Sequence, residues 1–418
     1  MTQSKHTHSR GARRACALLA GLAASLLATS VPAEGSPAEA DPGCPVLWVL
    51  GVQGTGQSSP GASRTDDTGV LGALLGPVAA AVPGLVQHTY IPYPAGFGGI
   101  PGAGGGPERY VDSVTTAVAE LGATATQIVE RCPATSLAMV GYSQGAQIVS
   151  QTARAIGAGN GPVGADHVAA IALYANPERR ADTQVFPGRP GQLTPDPAPG
   201  TGGSAVAAVQ LTSAPASGSG IAADDAEYGA LTGRVADICV DGDLACSAPE
   251  RAALLRAGAL IAAQADLSNP IAAVTSLQQV LSAALGSAWT TVVLDDVAVG
   301  LGTVDYAPRK PLSQRLIDAA DPRIAAPPPE RAAEAEKRWN QITATVAAHP
   351  GEVVKLAGQL AAAWGQLVAD NSGLVDPAVW ARVAATVAPH TGYAATGQLA
   401  SGIAWLVAVA HDLSKGHP

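Results

Sequence analysis

Uninterrupted apolar runs alternate with stretches of helical period along the first half of the chain. Residues 46–52, 137–140 and 168–175 are runs with no charged position, the pattern of strands buried on both faces, and 88–93 reads as a further strand ending at Pro92 and Pro94. Between them lie apolar positions at helical spacing: 70–86, interrupted by Pro77 and Pro83, then 110–130, then 144–156. This alternation predicts an α/β fold with a parallel sheet covered by helices on both sides. Residues 186–222 are rich in Pro, Gly and Ser around a short strand expected at 205–211. From 247 to 389 the period is helical throughout, as in Val353, Ala357, Leu360, Trp364 and Leu367, and Pro327-Pro328-Pro329 divides that region into two lobes. The last element, 398–413, is an amphipathic helix.

The opening of the chain does not fit this frame. Lys5, Arg10, Arg13 and Arg14 precede fourteen small or apolar residues at 15–28, and Val31-Pro32-Ala33 follows, so 1–33 reads as an export signal. Beyond it no uncharged apolar stretch free of Pro and Gly reaches eighteen residues, which predicts a chain without a membrane span. Four of the five cysteines remain, Cys44, Cys132, Cys239 and Cys246. Their spacings are not those of zinc ligands, and two disulfides are expected, Cys44 with Cys132 and Cys239 with Cys246. A net charge of −9 disfavours a nucleic-acid partner.

The run at 137–140 stops at Gly141-Tyr142-Ser143-Gln144-Gly145, a G-x-S-x-G pattern between strand and helix. Glycines there let the two elements approach while a strained turn projects the serine hydroxyl. A hydroxyl is a poor nucleophile at neutral pH without a base and a carboxylate that orients the base. In sheets of this type the carboxylate and then the histidine follow the serine in the chain. Asp243, in the short loop between Cys239 and Cys246, suits the carboxylate role, with Asp241 as the alternative. Four histidines follow: His349 looks like a helix end, His411 falls in the last turn of the final helix, His417 stands next to the terminus, and His390 lies on a loop before that helix. His390 is therefore the expected base. His88 and His167 precede Asp243 and are disfavoured by order. An oxyanion needs donors, for which the backbone N–H of Gln144 and the loop Gln53-Gly54-Thr55-Gly56-Gln57 are suited, Thr55 adding a side-chain donor. That loop lacks the Lys-Ser/Thr ending of a phosphate-binding loop.

Together, Cys44-Pro45, Gly54-Thr55-Gly56-Gln57, the serine motif and Cys239-x-x-Gly242-Asp243-x-x-Cys246 resemble the cutinase family of serine esterases. Tyr90-Ile91-Pro92-Tyr93, Gly229-Ala230-Leu231 and His390-x-x-Tyr393-Ala394-Ala395-Thr396 are most similar to its larger mycobacterial members, which are associated with phospholipase and thioesterase activity and the mycolate envelope. The resemblance implies a cutinase-type α/β-hydrolase with Ser143 as nucleophile, Asp243 as orienting acid, His390 as base, Thr55 and Gln144 as the oxyanion hole, and the disulfide pairing given above. It implies a secreted or envelope-associated esterase acting on lipid esters or thioesters without a cofactor or metal. A non-catalytic envelope protein and a carbohydrate acetyl esterase are the alternatives. The departure from the family is the stretch separating Asp243 from His390. The expected organisation is thus a signal at 1–33, a hydrolase domain of 34–246 with 388–418, and a helical insertion at 247–387 that caps the site.

Overall fold

The computed structural model describes residues 43–181, 183–211 and 216–416, so the expected signal at 1–33 and His417 lie outside the described residues. Five strands, β1 (Leu47–Val52), β2 (Val86–Tyr90), β3 (Ser136–Tyr142), β4 (Val168–Tyr174) and β5 (Val235–Ile238), form one parallel sheet in the order β2-β1-β3-β4-β5. Successive side chains of a strand point to opposite faces, and here both faces are covered, which is why the runs contain no polar break. Leu47 and Val49 pack with α1 (Gly69–Ala81) and the last helix. Trp48, Leu50 and Val52 pack on the other side with α2 (Tyr110–Arg131) and α3 (Gln144–Gly157).

The chain leaves β1 toward β2 on one side of the sheet and returns to β3 on the other. Loops following β1 and β3 therefore diverge at the carboxyl edge, and such a reversal of strand order opens a crevice there. Thr55 follows β1 and Ser143 follows β3, so the sheet order sets both at that crevice.

β5 and the last helix are joined by a long, mostly helical insertion. It contains α4 (Ala253–Ala262), α5 (Pro270–Thr291), a π-helical turn Val292–Asp296, a two-stranded hairpin of β6 (Val297–Val299) and β7 (Val304–Tyr306), and α6 (Leu312–Ala320). α7 (Pro329–Ala348), α8 (Gly351–Asp370), α9 (Pro377–Ala385) and the short α10 (Val387–Thr391) follow, and α11 (Gln398–Gly416) returns to the sheet. Its apolar clusters are small, one around Ala257, Leu260, Ala284 and Ala320 and another around Val293, Val304, Ala335 and Ile342. Between them, Asp296 accepts two hydrogen bonds from the Arg315 guanidinium, at 3.0 and 2.6 Å.

Several expectations are corrected. Residues 205–211 form no strand: Val206–Ala208 is a 3-10 turn, held by Asp412 of α11, whose carboxylate accepts from the N–H groups of Ala205 and Val206 at 2.8 and 2.9 Å. β5 and the β6–β7 hairpin were not expected. Pro270–Asp296 is long and apolar enough to cross a membrane by length and composition, against the expectation of no such stretch; Gly286, which that expectation treated as a break, sits inside α5 without ending it. His390 stands in α10 and not on a loop.

Candidate active site

Ser143 joins β3 directly to α3 and has φ 55° and ψ −121°, a region that a residue with a β-carbon occupies only under constraint. The constraint comes from both flanks. A β-carbon on Gly145 would stand 1.9 Å from the carbonyl oxygen of Val52, and one on Gly141 would stand 2.4 Å from the carbonyl oxygen of Gly145. The Ser143 N–H donates to Tyr174 O at 2.9 Å, and its carbonyl accepts from the N–H groups of Ala146 and Gln147. Its hydroxyl makes no capping hydrogen bond to α3, so the serine is not there to cap the helix.

Gln144 is held by its side chain, which donates to Gly96 O at 3.1 Å and accepts from Tyr93 Oη at 3.3 Å. Its backbone N–H opens α3, where the first amides of a helix have no intrahelical acceptor. Thr55 lies in a turn closed by Gln57 N–H donating to Gly54 O at 3.1 Å. Gly54 allows this turn to lie against β3, since a β-carbon would come within 2.8 Å of the Tyr142 ring.

Asp243 is fully buried, inside the loop bridged by Cys239 and Cys246; Cys44 is bonded to Cys132. Its Oδ1 accepts from His390 Nδ1 at 2.8 Å and from Ala245 N–H at 3.0 Å, and its Oδ2 accepts from Tyr393 Oη at 2.8 Å. Asp241 turns elsewhere and accepts from Ser217. Two other histidines stand apart from this carboxylate: His349 caps the end of α7, and His88 pairs with Asp67. His390 is fixed at its backbone, its carbonyl accepting from Tyr142 Oη at 2.6 Å, with the two rings 5.2 Å apart.

Tyr393, whose role the sequence did not reveal, is a donor and stays one. Burial, reinforced by the negative charge of Asp243, pushes its phenol well above the ordinary range. A tyrosine three residues after the histidine was the available signal. Thr386 was also missed; its Oγ1 accepts from Leu244 N–H at 2.8 Å and ties the end of the insertion to the Asp243 loop.

Ser143, Asp243, His390 and Thr55 line one cavity of about 430 Å³. Its walls are mainly apolar, with Phe97, Val111 and Val114 from the sheet side and Ala259, Leu260 and Ala263 from α4 and its end. Arg323, from the insertion, also reaches this wall and donates to Glu178 Oε1 at 2.9 Å. Glu178 is fully buried and also pairs with Arg154 at 2.6 Å. Two guanidiniums and two glutamine amides converge on this one carboxylate, so its burial leaves no charge unpaired.

Residues 44–254, just over half of the chain, match the cutinase family model. The chain belongs to the cutinase family. The matched stretch carries Thr55, Ser143, Gln144, Asp243 and the four bridged cysteines, and ends before His390. Among relatives, the carboxylesterase Culp6 homolog of Corynebacterium glutamicum is 28% identical over 237 residues, 53% of this chain and 72% of the relative. Phospholipase Culp4 of Mycobacterium tuberculosis is 32% identical over 41% of this chain and 69% of its own. Acetylxylan esterase 2 of Talaromyces purpureogenus is 36% identical over 30% of this chain and 50% of its own. As a cutinase-family protein, the chain is a carboxylic ester hydrolase.

Proposed function

We propose that this cutinase-family enzyme is exported and hydrolyses carboxylic esters or thioesters of lipids through Ser143, His390 and Asp243. The observation that carries the reading is the 2.8 Å bond from His390 Nδ1 to a fully buried Asp243 carboxylate in a cavity that Ser143 also lines. With Nδ1 held, Nε2 is the nitrogen free to take a proton. Ser143 Oγ attacks the substrate carbonyl and passes its proton to His390 Nε2. The Gln144 N–H and Thr55 stabilise the oxyanion, and His390 returns the proton to the departing alcohol or thiol. Water, deprotonated by the same nitrogen, then cleaves the acyl-enzyme.

An apolar cavity suits an acyl chain better than a sugar, which favours lipid over carbohydrate esters. In the same reading, 247–387 is a cap, since Leu260 and Arg323 form part of the cavity wall. Two disulfides suit an oxidising, exported setting and the envelope association expected for the chain. A series of p-nitrophenyl esters from acetyl to palmitoyl tests the substrate class. Long acyl groups are expected to give the higher kcat/KM, and a preference for acetyl would move the reading to carbohydrate esters.

A further inference from the structure

The insertion turns apolar side chains outward in a way the five-stranded body does not. α8 is the clearest case, since none of its 20 residues is buried. Its inward face sets Leu356 against the small cluster around Val293 and Ile342 and adds polar ties: Glu352 accepts from Val304 N–H and Gln359 from Tyr306 N–H, both at 2.8 Å, and Lys355 pairs with Asp305 at 3.0 Å. The opposite face carries Val354, Leu360, Trp364 and Val368, between 52% and 77% exposed. An amphipathic helix on a protein surface ordinarily turns polar side chains outward, and here a second apolar stripe stands there instead.

α5 repeats the pattern. It holds no charged residue, buries only Ala284, Ala288 and Thr290, and exposes Ile271, Val274, Leu281, Leu285 and Trp289 at helical spacing. Tryptophan shows the same division across the whole chain. Of the six, Trp48 and Trp405 in the body are buried, while Trp289, Trp339, Trp364 and Trp380 in the insertion are 42% to 65% exposed.

Charge identifies the occupant. The outward stripes of α5 and α8 are uncharged, whereas α7 of the same insertion carries six charged side chains among its 20 residues. An uncharged apolar stripe edged by tryptophan, whose ring is apolar and whose N–H needs a polar partner, matches the boundary of a lipid layer. The net charge of −9 makes an anionic surface the wrong complement. We propose that the outward faces of α5 and α8 dock the enzyme on an uncharged lipid layer. This deepens the lipid-ester reading and takes its functional meaning from it, because the docked insertion is also a wall of the cavity that holds Ser143.

Flotation of the full chain with phosphatidylcholine vesicles tests the proposal. The wild type is expected to float with the vesicles, to stay bound in about 0.5 M salt, where charge attraction is screened within ~4 Å, and to shift its tryptophan emission to the blue. The double variant Leu360→Asp, Trp364→Asp is expected to bind at least about tenfold more weakly, a charged side chain being costly in lipid. Its turnover of soluble p-nitrophenyl acetate should be unchanged, which shows that it is folded. Ser143→Ala should float like the wild type, so loss of catalysis and loss of docking are read separately. A wild type that stays in solution, or a double variant that floats equally well, would overturn the proposal. So would a dimer in sedimentation equilibrium that the double variant dissolves, because the face would then belong to a second copy.

Discussion

The five-stranded body and the insertion use the same residue types in opposite ways. In the body, Trp405 sits in a cluster with Phe186, Leu406 and Tyr174 and has no exposed surface. In the insertion, Trp364 stands 65% exposed on the face of α8 turned away from Leu356, Glu352 and Gln359, which hold the helix to the rest of the chain. A closed core makes the crevice rigid enough to hold Ser143 at a strained backbone angle. Apolar surface turned outward adds little to folding and is suited to meet something outside the chain. Apolar content alone therefore does not locate the core: the partners of the opposite face do.

Substitutions on the two sides of this divide should behave differently. The largest effect should come from Asp243→Asn, which removes the charge that orients His390 and is expected to lower kcat by about 10⁴-fold with little change in KM, measured on p-nitrophenyl butyrate. Next, Trp405→Ala should destabilise the body by about 3–5 kcal/mol in urea denaturation, as large-to-small changes in a packed core do. Trp364→Ala should cost less than about 0.5 kcal/mol in the same measurement; equal losses would dissolve the distinction between the two regions. Arg323→Ala removes a partner of buried Glu178 and should destabilise by roughly 1–3 kcal/mol. It should also alter acyl-chain preference, since Arg323 reaches the cavity wall.

Within the site, the smallest expected effect is that of Tyr393→Phe. Removing one donor to Asp243 should lower kcat by about tenfold, the loss of a hydrogen bond to a charged group of ~1.5 kcal/mol. The pH dependence of kcat/KM should shift as well, because the donor sets the charge that His390 meets; a lower Tm with an unmoved profile would make the contact merely structural.

How much of this could be read in the sequence depends on whether the deciding partners are near or far along the chain. β1, β3 and β4 were legible because both faces of each are buried, leaving no charged residue to interrupt the run. β5 was not, because its four residues include Asp237, a buried carboxylate that burial pushes up to about 6 and that reads as a loop residue. The turn at Val206–Ala208 reads as strand by composition, and Asp412, far along the chain in α11, accepts from the N–H groups at its start. In the site, Ser143, Asp243 and His390 could be singled out from the G-x-S-x-G pattern, the loop between Cys239 and Cys246 and the order of the chain, and the folded chain brings all three to one cavity. Tyr393 carried only its place three residues after His390, and Thr386 and Arg323 carried no mark, because all three make their contacts with loops distant in the chain. The outward stripes of α5 and α8 were legible as helices, but which way α8 faces depends on the partners of Glu352 and Gln359, which only the folded chain brings together.

The central claim is that Ser143 is an activated nucleophile held by this fold. Treating the folded protein with a fluorophosphonate and locating the adduct by mass spectrometry tests it directly. The account predicts a single adduct on Ser143, slowed at least about a hundredfold in His390→Ala, which lacks the proposed general base. A folded protein that leaves Ser143 unlabelled, or that is labelled there at the same rate without His390, would contradict it.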